Sequence, residues 1–176
     1  MPAPPIPYQP FWCEENIWHL AQHPAPGDGE RLVLVISGAG GEVACWEQRA
    51  GRAGRPILWD YHVVLAAQHD DGWRIWDLDT RLGYPLPAPT WLHGTFPCAD
   101  SVLPDFQPRF AVIPAATWIT TFGSDRAHMR RPDGSWQRPP PSWPPICAGD
   151  LSVPAAIQQA RAGIDLAALR ARLGVE

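Results

Sequence analysis

The chain has 176 residues, is 45 % apolar and carries a formal net charge of −4, which suffices for one hydrophobic core and excludes wholesale disorder. It has no block of like charges, so neither a nucleic-acid partner nor an anionic membrane surface is expected. The start, Met1-Pro2-Ala3-Pro4-Pro5, lacks the basic and apolar regions of a signal peptide, and the longest aliphatic run, 32–36, is too short to span a bilayer, so a cytoplasmic protein is expected.

Residues 1–10 read as an extended Pro-rich arm. Residues 14–22 carry Ile17, Leu20 and Ala21 at helical spacing, with Cys13 at the helix start and His23-Pro24 ending it. After a turn-rich connection at 24–30, residues 31–37 (RLVLVIS) form a buried strand, turned by Gly38, Gly40 and Gly41. A strand carrying Trp46 is placed at 42–50 and a polar loop at 49–55. Strands at 57–67 and 73–78 flank His69-Asp70-Asp71-Gly72, a hairpin turn signal.

Residues 80–108 read as irregular and Pro-rich, and 110–113 as a short strand. Residues 115–122 fit a helix or a strand. Prolines 139–141, 144 and 145 enforce an extended segment, read as a stiff surface loop rather than a ligand for an aromatic groove. The chain ends at 154–173 in one or two amphipathic helices with a break at Gly163. There is no internal repeat and no second domain, so 1–176 is read as one unit. The 22 prolines punctuate loops, and the 10 tryptophans are expected in the core or along a cleft.

The four cysteines, at 13, 45, 98 and 147, contain no C-x-x-C pair and no zinc-finger spacing, so no metal is expected. Cys45, Cys98 and Cys147 read as small buried hydrophobes. Cys13 differs, because free N–H groups and the helix dipole at a first turn favour thiolate and can stabilise an oxyanion. Glu14 and Glu15 oppose that thiolate, so an imidazolium is needed to outweigh them. His62 lies in an otherwise apolar and aromatic strand. With the hairpin turn centred between His69 and Asp70, His62 falls opposite Asp77 and shares its face. Asp79 shares that face too, and strand alternation alone does not choose between the two.

Several segments resemble a known family in family order over roughly 8–147. Trp59-Asp60-Tyr61-His62-Val63 (WDYHV) is the pentapeptide that names the N-terminal glutamine amidohydrolase family. Cys13-Glu14-Glu15-Asn16-Ile17-Trp18 resembles its nucleophile region, Asp77-Leu78-Asp79-Thr80 its DLDT segment, and Ser124-Asp125-Arg126-Ala127-His128-Met129 its SDR-x-HM stretch. The Pro-rich 139–145 segment also fits, whereas 23–32 and 81–108 match poorly. The resemblance implies an α+β, papain-like (cysteine-proteinase/transglutaminase-like) fold, with an antiparallel sheet flanked by helices. It also implies a catalytic triad of Cys13, His62 and the first Asp of DLDT, Asp77.

The activity so implied is deamidation of N-terminal glutamine through a glutamyl thioester, with no cofactor, on proteins or peptides with a free N-terminal Gln. Sensing the α-ammonium requires an acidic group, for which Glu14, Glu15 and then Asp125 are the candidates. Tyr61 and Trp59 are candidate cleft-lining residues, Asp125-Arg126 reads as a structural ion pair, and His128 has no assigned role. Alternatives are a peptidase or transglutaminase-like enzyme using the same triad, or a non-catalytic binder of N-terminal residues. A monomer is expected, because no heptad or large apolar stripe is evident.

Overall fold

The computed structural model describes residues 4–175, so the first three residues of the expected arm lie outside the described part. The elements are α1 (Cys13–Ala21), β1 (Arg31–Gly38), β2 (Val43–Cys45), β3 (Ile57–Trp59), β4 (His62–His69), β5 (Gly72–Trp76), β6 (Leu86–Pro87), α2 (Ala88–Thr95), β7 (Pro108–Pro114), α3 (Ala115–Thr121), α4 (Val153–Arg161), β8 (Ile164–Asp165) and α5 (Leu166–Arg172). Among the described residues no helix is long and apolar enough to cross a membrane.

Six strands form an antiparallel sheet in the order β6-β5-β4-β1-β7-β8, and β2 pairs with β3 separately. Helices cover both faces, so the central strand β1 is buried along nearly its whole length. That explains its continuous apolar run, since a strand wet on one side would alternate. Val33 and Val35, with Val63 and Leu65 of β4, pack against α1, α3 and α4. Leu32, Leu34 and Ile36, with Val64 and Ala66, face α2, α5 and the β2–β3 ribbon. The architecture is therefore α+β, as expected.

Several local expectations are corrected. The strand expected at 57–67 is two strands: β3 belongs to the small ribbon, and β4 begins anew at His62. The 80–108 stretch contains α2, whose prolines stand at its start, where a missing N–H costs nothing. The undecided 115–122 segment is helix α3. The C-terminal break falls where expected, because a side chain at Gly163 would meet the Phe110 carbonyl oxygen at 2.0 Å. Of the cysteines read as buried hydrophobes, only Cys45 is buried; Cys98 and Cys147 are exposed.

The hairpin register also differs. His69 pairs with Gly72, so the two-residue turn is Asp70-Asp71 and the ladder runs to Leu65↔Trp76. Moving the turn centre by one residue shifts every cross-strand partner by two. The ladder ends before His62, and Asp77 lies just past β5. Continued, this register sets Asp77 diagonal to His62 and on the same face, since a two-residue shift preserves the side-chain period.

Trp118 of α3 is fully buried and stacks on Phe122 with ring centroids 4.2 Å apart. Trp118→Ala is expected to lower the unfolding free energy by about 3–5 kcal/mol, read as a fall in urea midpoint at unchanged m-value.

Candidate active site

A cleft of about 500 Å³ opens where α1 meets the start of β4, lined among others by Cys13, Trp59, Tyr61, His62, Asp79 and His128. Phe11, with φ 70, turns the chain into α1 so that Cys13 becomes the first helical residue. A positive φ at a non-glycine residue is strained and persists only where its surroundings enforce it. The arm supplies such support. Gln9 and Asn16 exchange two hydrogen bonds, of 2.8 and 2.9 Å, and the Trp12 indole donates to the Pro139 carbonyl at 2.8 Å.

The state of the thiol departs from the helix-start expectation. Burial pushes the Cys13 thiol well above its ordinary range, and the negative charges of Glu14 and Asp79 push it further. The Glu14 Oε2 lies 3.7 Å from Sγ and accepts a hydrogen bond from the thiol. Desolvation and adjacent carboxylates thus outweigh the helix dipole, which acts through partial charges only.

His62 and Asp77 are both buried, and Nε2 lies 2.9 Å from Asp77 Oδ1. Asp77 also accepts from the Asp79 N–H at 3.1 Å, and its Oδ2 accepts from Gln48 Nε2 and Trp91 Nε1, each at 3.1 Å. Burial raises the Asp77 carboxyl, but the His62 charge and these donors outweigh it, and the net shift is downward. For His62, burial disfavours the imidazolium, yet Asp77 and the charges of Asp79 and Glu14 raise it overall. With Nε2 held by Asp77, Nδ1 has no protein hydrogen bond among the described residues. Asp79, the other candidate, accepts from the Tyr8 hydroxyl at 2.6 Å instead.

The acidic candidates separate. Glu15 is fully buried and binds Arg126 Nε and Nη2 at 2.8 and 2.7 Å, with the Trp143 indole adding a third bond at 2.8 Å. Its charge is consumed inside the protein, so it is not free for an ammonium. Asp125 is exposed, caps the Ala127 N–H at 2.9 Å and lies outside the cleft lining. It is not the partner of Arg126, contrary to the pair expected from sequence. Glu14 is also buried, but its Oε1 lacks a hydrogen bond and lies 3.4 Å from His128 Nε2. Tyr61 lines the cleft, and its hydroxyl meets the same His128 nitrogen at 3.2 Å. Gln48, Trp91 and His128 were not assigned from sequence. Gln48 lies 29 positions from Asp77, and no spacing rule links residues that far apart. Among the described residues no cluster of three or more His, Cys, Asp or Glu side chains is arranged to hold a metal.

The fold is α+β, with a cleft lined by both a helix-start thiol and the histidine of a buried histidine–carboxylate pair. A profile described as N-terminal glutamine amidase matches residues 8–160. A Bos taurus protein named protein N-terminal glutamine amidohydrolase is 38% identical over 148 residues, covering 81% of this chain and 72% of its own length. A Drosophila mojavensis protein of the same name is 39% identical over 159 residues, covering 82% of this chain and 77% of its own. The chain belongs to the N-terminal glutamine amidase family.

Folding raises His62 above its ordinary value near 6.5. Its contribution to stability is therefore complete below that value and lost as pH rises through the folded pKa. Folding lowers Asp77 from near 3.8, so its contribution is present above that value and lost as pH falls through the depressed one. Asp77→Asn removes the counter-charge and leaves burial acting on the imidazole. The His62 titration midpoint, followed by NMR of the ring Cε1 proton, is expected to fall below its wild-type value. Separately, Arg126→Ala strands a buried Glu15 charge and is expected to cost about 3–5 kcal/mol of unfolding free energy. Asp125→Ala, next in sequence but exposed, is expected to cost less than about 1 kcal/mol in the same chemical denaturation series.

Proposed function

We propose that this chain deamidates N-terminal glutamine of proteins or peptides to glutamate with release of ammonia. The pairing of His62 with Asp77, in the cleft that Cys13 also lines, carries this reading, and family membership supports it. The helix-start cysteine beside a histidine on a strand fits a papain-like arrangement.

Cys13 is the nucleophile. Its proton passes to His62, whose Nε2 is held by Asp77 so that the other ring nitrogen does the proton transfer. Sγ bonds to the side-chain amide carbon of glutamine, and the Cys13 backbone N–H receives the oxyanion. The C–N bond then breaks, and the imidazolium proton leaves with the nitrogen as ammonia. The glutamyl thioester remains. Water gives a proton to His62 and attacks the thioester carbon. The C–S bond breaks, and the thiolate recovers the proton as glutamate departs.

Glu14 receives the α-ammonium. It is buried behind the cleft rather than part of its lining, but it touches two residues that do line it, Cys13 through Oε2 at 3.7 Å and His128 through Oε1 at 3.4 Å. An ammonium that displaces His128 finds a carboxylate there. Tyr61 lines the same site. The carboxylate that keeps the thiol protonated in the free enzyme is thereby neutralised when the cationic substrate binds, and the thiol is then more easily deprotonated. An N-acetylated glutamine brings no such charge.

Peptides with free N-terminal Gln, N-acetylated Gln and internal Gln only, followed by mass spectrometry and ammonia release, test the reaction. Only the first is expected to be converted, and Cys13→Ala to abolish conversion; no conversion by folded protein overturns the reading. Glu14→Gln is expected to move two readouts in opposite directions. The kcat/KM for the free-amine peptide falls roughly 30-fold or more. Alkylation of Cys13 at neutral pH accelerates by about tenfold for each pH unit the thiol pKa drops. The faster alkylation reads only the loss of charge beside the thiol, whereas a fall in kcat/KM despite the more reactive thiol reads the lost ammonium contact.

A further inference from the structure

Beyond the thiol, the cleft lining includes two arginines: Arg138, at the edge of the Pro-rich segment, and Arg161, the last residue of α4. Neither forms a salt bridge among the described residues. The Arg138 guanidinium lies over the Phe11 ring, 4.0 Å from its centroid. Arg161 donates through Nη2 to the Gly41 carbonyl at 3.3 Å, while its Nε is buried without a partner. The cleft carboxylates are engaged elsewhere: Asp79 with Tyr8, and Asp60 with the Tyr61 N–H at 3.0 Å.

The cleft therefore carries both signs of charge. Glu14, Asp79 and the His62–Asp77 pair surround the thiol. Arg138 and Arg161 add two cations with no acidic partner among the described residues. A row of rings links Arg138 to His62: Phe11 meets Trp59 edge-on with centroids 6.1 Å apart, and Trp59 stacks on His62 at 6.2 Å. A peptide advances roughly 3.3–3.6 Å per extended residue. From a terminal glutamine at Cys13, two further extended residues reach about 7 Å along the cleft. A guanidinium held on a ring face and lacking a counter-ion presents its N–H fork to a carboxylate or a peptide carbonyl.

We propose that Arg138 and Arg161 form a second subsite, which reads the residues after the terminal glutamine and favours an acidic side chain at position two or three. This rests on the deamidase reading above. A substrate with a cation at its start and an anion one or two residues later matches both charges of the cleft, and a lysine in place of that anion meets like charge.

The test compares ammonia release from Gln-Gly-Gly, Gln-Asp-Gly, Gln-Gly-Asp, Gln-Lys-Gly and Gln-Gly-Lys peptides, all amidated at the C-terminus so that no terminal carboxylate reaches the arginines. At low salt the better-placed aspartate peptide is expected to exceed its lysine counterpart in kcat/KM by at least about threefold, the scale of exposed ion pairs. The ratio should shrink toward one in about 0.5 M NaCl through screening. Arg138→Glu, at an exposed position, and Arg161→Glu should each reduce the ratio or invert it toward lysine. Because each ratio is measured within one variant, a general loss of activity does not mimic the effect. Equal kcat/KM for acidic and basic peptides while Gln-Gly-Gly is converted overturns the subsite and leaves the deamidase standing. So does a ratio that Arg138→Glu leaves unchanged. No conversion of any peptide, Gln-Gly-Gly included, overturns both.

Discussion

An imidazole and a carboxylate shielded from water at the same place are stable only if each supplies what the other has lost. Asp77 receives four hydrogen bonds, from His62, the Asp79 backbone, Gln48 and Trp91. That many donors keep a buried carboxylate ionised, and the resulting charge keeps His62 readily protonated despite its own burial. The donors come from β4, from the turn after β5, from the loop after β2 and from α2. Much of the fold therefore converges on one carboxylate. The sheet aligns His62 with it on one face, and α2, docked on that same face, brings in the indole.

A second buried pair holds the start of α1 in place. Arg126 takes both oxygens of Glu15 and donates to the Trp143 carbonyl at 2.9 Å, which ties the first turn of α1 to the segment after α3 and to the Pro-rich loop. Glu14 and Glu15 are neighbours in sequence but differ in environment, because successive residues on a helix point about 100° apart. Glu15 is turned toward a guanidinium and is fully satisfied. Glu14 is turned toward Cys13, His128 and Tyr61 with one oxygen unmatched.

The strong local signals predicted their elements well. The aliphatic run at 31–37 is β1, the first amphipathic stretch is α1, and the C-terminal helices break at Gly163. The failures share a cause. A hairpin turn signal four residues wide fits more than one turn centre, so the register was misplaced by two. The prolines at 87 and 89 read as loop, although α2 begins there. The strand through WDYHV was extended across a break that only β2, its partner from elsewhere in the chain, accounts for.

The sequence by itself determined which residue types stand where: a cysteine opening a helix, a histidine in the WDYHV strand, aspartates after the hairpin, and with them the family. Periodicity, turn residues and short motifs are local, and local information survives in one dimension. The choice of Asp77 over Asp79 came from the family resemblance, not from strand alternation. Only the tertiary structure decided that Glu15 is taken by a guanidinium while Glu14 faces the thiol, that the thiol is pushed up rather than down, and that two arginines line the cleft without a counter-ion. Each of these depends on desolvation and on charges supplied by residues far away in sequence, which no spacing rule brings together.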